Sequence, residues 1–130
     1  MKGIPNKKIT DRLDTMLTMK SDAIKIDNNP NFMAFNIDYL GKISVGGLAG
    51  CHIFAFSHYY KHPSGDMIPD PDMQVIYAPD NNLYPFTYQD SFGYQESYNT
   101  QTGNLRPRMQ AEQAVFLKQW LKNVVDQQDL

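Results

Sequence analysis

The 130-residue chain is poor in the residues that announce chemistry, with one cysteine, one tryptophan and three histidines. A lone Cys51 excludes an internal disulfide and leaves no thiolates for a cysteine-rich zinc site, which fits a reducing compartment. No apolar run approaches the length that spans a bilayer, so no membrane partner is expected. Lys2, Lys7 and Lys8 stand early in the chain, but the residues after them lack the apolar core of a signal peptide. A soluble, cytoplasmic protein is the expectation. There is no polybasic tail, and a formal net charge of -2 argues against non-specific attraction to nucleic acid or anionic membrane. No internal repeat or low-complexity tract occurs. The length suits one domain over residues 1–130 with a core that needs no disulfide or metal.

What charge there is lies unevenly. Residues 1–20 hold Lys2, Lys7, Lys8, Arg12 and Lys20 against Asp11 and Asp14, a net +3. Residues 60–100 hold Lys61 against Asp66, Asp70, Asp72, Asp80, Asp90 and Glu96, a net -5. Tyrosines are interleaved with these carboxylates.

The periodicity predicts a helix, an antiparallel sheet of four to six strands and a long C-terminal helix, an α+β sandwich. Ile9, Leu13, Met16 and Leu17 form one stripe of a first helix that Asn6 can cap and that runs to about Met19. Ala23–Ile26 reads as a short strand, and Asp27 to Asn31 as a tight turn. From Phe32, alternation puts Met33, Phe35, Ile37 and Tyr39 on one face and Ala34, Asn36 and Asp38 on the other, until Gly41 ends the strand. Ile43 to Val45 offers another short strand, and Gly46, Gly47 and Gly50 form a flexible link before Cys51. His52 to Tyr60 is a strand apolar on both faces at Ile53 to Phe56, which calls for cover on each side. His62-Pro63-Ser64-Gly65-Asp66 is a turn, Pro69 and Pro71 stay extended, and Met73 to Tyr77 returns as the hairpin partner. Residues 83–98 supply one or two more strands. Pro107 opens the last helix, of about five turns, with Ala114, Leu117, Leu121 and Val124 inward, Trp120 as core anchor, and Glu112, Gln113, Lys118, Gln119, Lys122 and Asn123 mostly outward.

Several spaced islands are distinctive together: Lys25-Ile26-Asp27-Asn28 with Phe32-Met33, His58-Tyr59-Tyr60, Gly65-Asp66, Asp70-Pro71-Asp72-Met73, and Tyr84-Pro85 with Tyr88-Gln89. This set, spanning roughly Lys25 to Glu96, resembles an uncharacterised family of small proteins encoded on bacterial plasmids, integrative elements and phages. The resemblance implies a genetic context and no established activity. That family has a longer polar turn, often with Gln-Asn before Gly-Asp, where this chain has His62-Pro63-Ser64. The departure argues against a direct chemical role for His62.

Catalytic motifs are weak. The Gly-Gly-Leu-Ala-Gly segment lacks the following helix and the Lys-Ser or Lys-Thr pair of a phosphate loop. Cys51 beside His52, and Ser57 beside His58, point to opposite faces of an extended chain and cannot work as pairs. Asp27, His58, Asp66, Asp70 and Asp72 concentrate acid, base and ligand groups. Asp27, His58, Asp66 and Asp72 are the candidate ligands for a divalent cation, and a metal-dependent hydrolase using His58 and nearby aspartates is the alternative reading. The spacing Asp66-x-x-x-Asp70-x-Asp72 matches neither the His-Glu-x-x-His motif nor the acidic loop of a calcium hand, and turn chemistry accounts for these residues. No cofactor is expected.

A binding module asks less of these residues. Tyr59, Tyr60, Tyr84, Tyr88, Tyr94 and Tyr98 offer rigid amphipathic rings of the kind interfaces use. The candidate binding surface is His58, Tyr59, Tyr60, Asp66, Asp70, Asp72, Tyr84 and Tyr88. Its carboxylates select a basic protein partner and disfavour direct nucleic-acid binding, which pairs aromatics with basic grooves. An exposed sheet edge also allows a homodimer.

Overall fold

The computed structural model describes residues 1–61 and 63–130, with all their side chains except those of Tyr60, Lys61 and Pro69. Helix α1 (Lys7–Met19) leads into β1 (Ala23–Ile26), β2 (Phe35–Val45), β3 (Leu48–Lys61), β4 (Met67–Tyr77), β5 (Leu83–Pro85), β6 (Thr87–Asp90) and β7 (Gly93–Glu96), and α2 (Pro107–Gln127) closes the order. The architecture is α+β. The strands form one antiparallel sheet in the order β1-β2-β3-β4-β6-β7, with β5 added to β4. Residues 83–98 supply three short strands, which brings the sheet to seven.

Helix α1 starts where the sequence allows a cap: the Asn6 Oδ1 accepts the Ile9 amide at 3.1 Å. It ends at Lys20, which adopts a left-handed conformation (φ 54) and donates its amide to the Met16 carbonyl. Ile9, Leu13 and Met16 are buried at one-turn spacing, and Leu17 packs at their margin. In α2 the stripe Ala114, Leu117, Trp120, Leu121 and Val124 is buried as expected. Gln113 departs from the outward placement. It is buried, and its Oε1 accepts the Ser97 hydroxyl at 2.6 Å.

Three strand boundaries differ from the sequence reading. Phe32 and Met33 lie outside β2 and are 43% and 47% exposed. Gly41 does not end β2: the strand continues through it by a register shift between Tyr39 and Gly41, a bulge that its φ of 136 permits. Gly46 and Gly47, at φ 57 and 81, form a two-residue hairpin turn between β2 and β3 in place of a flexible link. Strand β4 runs through Pro69 and Pro71 with a cis Asp70–Pro71 bond.

Both helices pack on the same face of the sheet. Their buried side chains share one core with Phe35, Ile37, Phe54, Phe56, Met73, Val75 and Leu83. Cover on both sides of β3 was expected, and here the structure departs from it. Phe54 and Phe56 are sealed under the helices, but Ile53 and Ala55 are half-buried on a face that carries no helix. An antiparallel sheet tolerates one such face, because its alternation segregates core from surface. At one end of this face Cys51, Ile76, Ala78 and Phe86 make a small apolar cluster. Among the described residues no helix is long and apolar enough to cross a membrane.

Candidate functional site

The bare face has an order set by strand register. Lys25 pairs with Asn36, Asn36 with Ser57, Ser57 with Asp72, Asp72 with Gln89 and Gln89 with Tyr94, so one polar row crosses six strands. Phe35, Phe56 and Met73, their neighbours in sequence, are fully buried toward the helices, and alternation turns the row itself the other way. The next row is Ala23, Asp38, Ala55 and Gln74. Beyond it Gly41, Ile53, Ile76 and Tyr84 align. The face therefore grades from carboxylates and amides to aliphatic groups over three rows.

The centre of the polar row is electrostatically uncomfortable. Burial, and then the charge of Asp38, push the Asp72 carboxyl above its ordinary value. Ser57 is 1% exposed, and its hydroxyl has no hydrogen-bond partner. The Gln113 amide nitrogen is the other such buried atom among the described residues. Asn36 reaches across to donate to the Ser57 carbonyl at 3.5 Å, which helps to close the row over the serine. At the β1 end lies a cavity of about 450 Å³ lined by residues that include Lys25, Asp27, Phe32, Asn36, Tyr59 and Met67. Lys25 sits 4.0 Å from Asp27, in an exposed pair of small energetic weight. At the far edge, Tyr94 is 57% and Phe92 96% exposed.

The predicted site residues do not form one constellation. Tyr59 and Asp72 lie on the open face, and Tyr84 lies at its apolar end with its hydroxyl donated to Asp80. His58 is corrected: it is buried under α2, edge-on to Phe35 and Trp120, with Nδ1 accepting the Trp120 indole N–H at 3.4 Å. Burial lowers its pKa, so it is a neutral core histidine. Tyr88 is corrected too, since its ring packs edge-on to Phe116 of α2 and it belongs to the helix side. Burial and its hydrogen bond to Asp90 raise Tyr88 to about 12, and Asp70 adds to that push from nearby in β4. Asp66 is exposed in the turn after β3, where its carboxylate accepts the Ser64 hydroxyl at 3.2 Å. The side chain of Tyr60, and all of His62, lie outside the described residues.

The proposed ligands Asp27, His58, Asp66 and Asp72 are likewise not brought together. His58 faces the helices while its neighbour Ser57 faces the open side with Asp72. Among the described residues no three His, Cys, Asp or Glu side chains cluster as a metal site. Cys51 and His52 point to opposite faces, as the extended chain required, and burial pushes the Cys51 thiol up, away from a reactive thiolate.

The residues the sequence reading left out are Asn36, Asp38, Ser57, Gln74 and Gln89. Their signal was the polar half of each alternating strand. What joins them into a surface is register across four strands, and no single strand encodes it.

Fold and face together define a small α+β protein with a one-sided sheet. The chain belongs to a family known as a domain of unknown function, DUF6908, whose model matches residues 6–130. No curated protein and no solved structure matches it significantly.

Proposed function

We propose that the protein is a small binding module that receives a basic segment of another protein on its open sheet face. One observation carries the reading: both helices cover one side of the sheet, and the other side presents Asn36, Asp72 and Gln89 in one row around Ser57, whose buried hydroxyl has no partner. Leaving a buried hydroxyl unsatisfied costs about 1–3 kcal/mol, and the burial of the Asp72 carboxyl, with the charge of Asp38 beside it, is a further cost to the free protein. A cation laid along Asp38 and Asp72 offsets the repulsion between the two carboxylates directly. Tyr59 and Tyr94 flank the row with aromatic surface that suits arginine or lysine stems. In the genetic context that the motif resemblance implies, such a module acts as an accessory protein that modulates a host protein or a protein of its own mobile element.

The test is selection of binders from a displayed random-peptide library, followed by affinities for the recovered sequences. The reading predicts a consensus with arginine or lysine, and a loss of tenfold or more in the Asp38→Asn, Asp72→Asn double variant, the effect of about 1.4 kcal/mol. An acidic or purely apolar consensus, or equal binding by the double variant, contradicts it.

A further inference from the structure

A second cavity, of about 300 Å³, lies on the helix-bearing side where the end of α1 meets β2 and β3. Its apolar lining is Met16, Leu17 and the ring of Tyr39, and its polar lining is dominated by Lys20, Lys42 and His52. Neither lysine takes part in an ion pair among the described residues. Asp22 is the one carboxylate at the cavity, so the cations outnumber it. A helix C-terminus ordinarily repels anions through its free carbonyls. Here the Met16 carbonyl is bonded to the amides of both Lys20 and Ser21, so that this carbonyl is not free to oppose an anion.

Tyr39 and His52 form a built pair within this cavity. The Tyr39 hydroxyl lies 2.9 Å from His52 Nδ1, and the rings are 5.7 Å apart. With Tyr39 donating, Nε2 carries the imidazole proton and is a donor with no partner among the described residues. Burial, and then the charge of Lys42, lower the His52 pKa, the sense expected of a histidine in a site that lacks its anion.

We infer that this cavity binds a small organic anion, with its apolar body against Met16, Leu17 and Tyr39 and its carboxylate or phosphate held by Lys20, Lys42 and His52. The site is distinct from the open sheet face and independent of what binds there.

The experiment follows the ring resonances of the three histidines by NMR during titration with phenyl phosphate, benzoate and, as the neutral counterpart, benzamide. His52 is assigned with a His52→Gln variant. Lys20, Asp22, Tyr39 and Lys42 share the cavity with it, and burial and then the charge of Lys42 lower its titration. The inference predicts a saturable shift of His52 at millimolar anion, a rise in its titration midpoint, and an unmoved His58. Benzamide should bind at least tenfold more weakly, and Lys42→Gln and Lys20→Gln should each weaken the anion severalfold with unchanged thermal midpoints. Tighter binding of phenyl phosphate assigns the head group as phosphate, and the reverse assigns a carboxylate. Absence of a saturable shift, equal binding of benzamide, or full affinity in both lysine variants overturns the inference.

Discussion

Gln128, one residue beyond α2, accepts the backbone amide of Asn28 at 2.7 Å on a side-chain oxygen that also takes the amide of Asn29 at 3.2 Å. Its own amide donates to the Met33 carbonyl at 3.1 Å, and the Asn28 side chain returns a bond to the Gln128 carbonyl at 3.0 Å. One buried side chain thus holds the segment between β1 and β2 against the end of the last helix. That segment bears Pro30 and Phe32, which line the larger cavity.

Removing this clamp has a defined outcome. Gln128→Ala orphans two amides and a carbonyl in a part-buried place, and should cost about 2–3 kcal/mol of stability. Urea denaturation measures it, and amide exchange should accelerate at Asn28 and Asn29 before the rest of the sheet. Uniform acceleration across the sheet contradicts a local clamp.

His58 gives the stability a pH dependence. Burial lowers its folded pKa below 6.5, and the Trp120 indole bond requires Nδ1 to be unprotonated. The unfolded chain then binds the proton more readily than the native one, so stability is full above pH 6.5 and falls as pH drops through the interval down to the folded value. His52, also lowered, acts in the same sense. In urea titrations between pH 5 and 7.5, the slope should be shallower in His58→Gln whatever its absolute stability. An unchanged slope assigns the effect elsewhere.

Asp72 has the opposite sign. Its folded pKa is raised above 3.8, so the native state binds the proton more readily, and stability falls as pH rises from 3.8 through the folded value. Asp72→Asn should therefore stabilise the protein at pH 7, with the gain vanishing below pH 3.8, where both states of the wild type are protonated. Measured thermal midpoints that drop at pH 7 in this variant contradict the burden placed on this carboxylate.

Ser57 separates stability from binding. Ser57→Ala deletes a buried hydroxyl without a partner and should leave stability unchanged or raise it by about 1 kcal/mol. The same change should weaken peptide binding on the open face if the hydroxyl engages the ligand there. A loss of stability above about 1 kcal/mol indicates a partner for the hydroxyl in the free protein.

Much of this architecture was legible in the chain, and the rest was hidden for identifiable reasons. The α1 stripe, the α2 stripe with Trp120, and the Ala23–Ile26 strand rest on local periodicity, which is why they were found. Gly41 was read as a stop because a glycine breaks a pattern and forms a bulge by the same conformational freedom. Of the buried glutamines, Gln113 was placed outward by type, and Gln110 and Gln128 drew no assignment. The burial of Gln110 and Gln128 depends on distant backbone, as when Gln110 brackets Lys2 with bonds of 2.6 and 2.7 Å, and that of Gln113 on the Ser97 hydroxyl. Of the candidate residues chosen by type, Tyr59 and Asp72 lie on the open face, whereas His58 was misplaced because an imidazole between aromatic strands is as suited to a core as to a surface. Asn36 and Ser57 join Asp72 in one row only through the register of β2, β3 and β4.

The most direct measurement of the central claim is amide NMR shift mapping with a basic peptide recovered by the library selection. The account predicts saturable shifts concentrated at Asn36, Asp38, Ser57, Tyr59, Asp72, Gln74 and Gln89, abolished in the Asp38→Asn, Asp72→Asn variant. Shifts centred on the exposed sides of α1 and α2, with the open face unmoved, would contradict it.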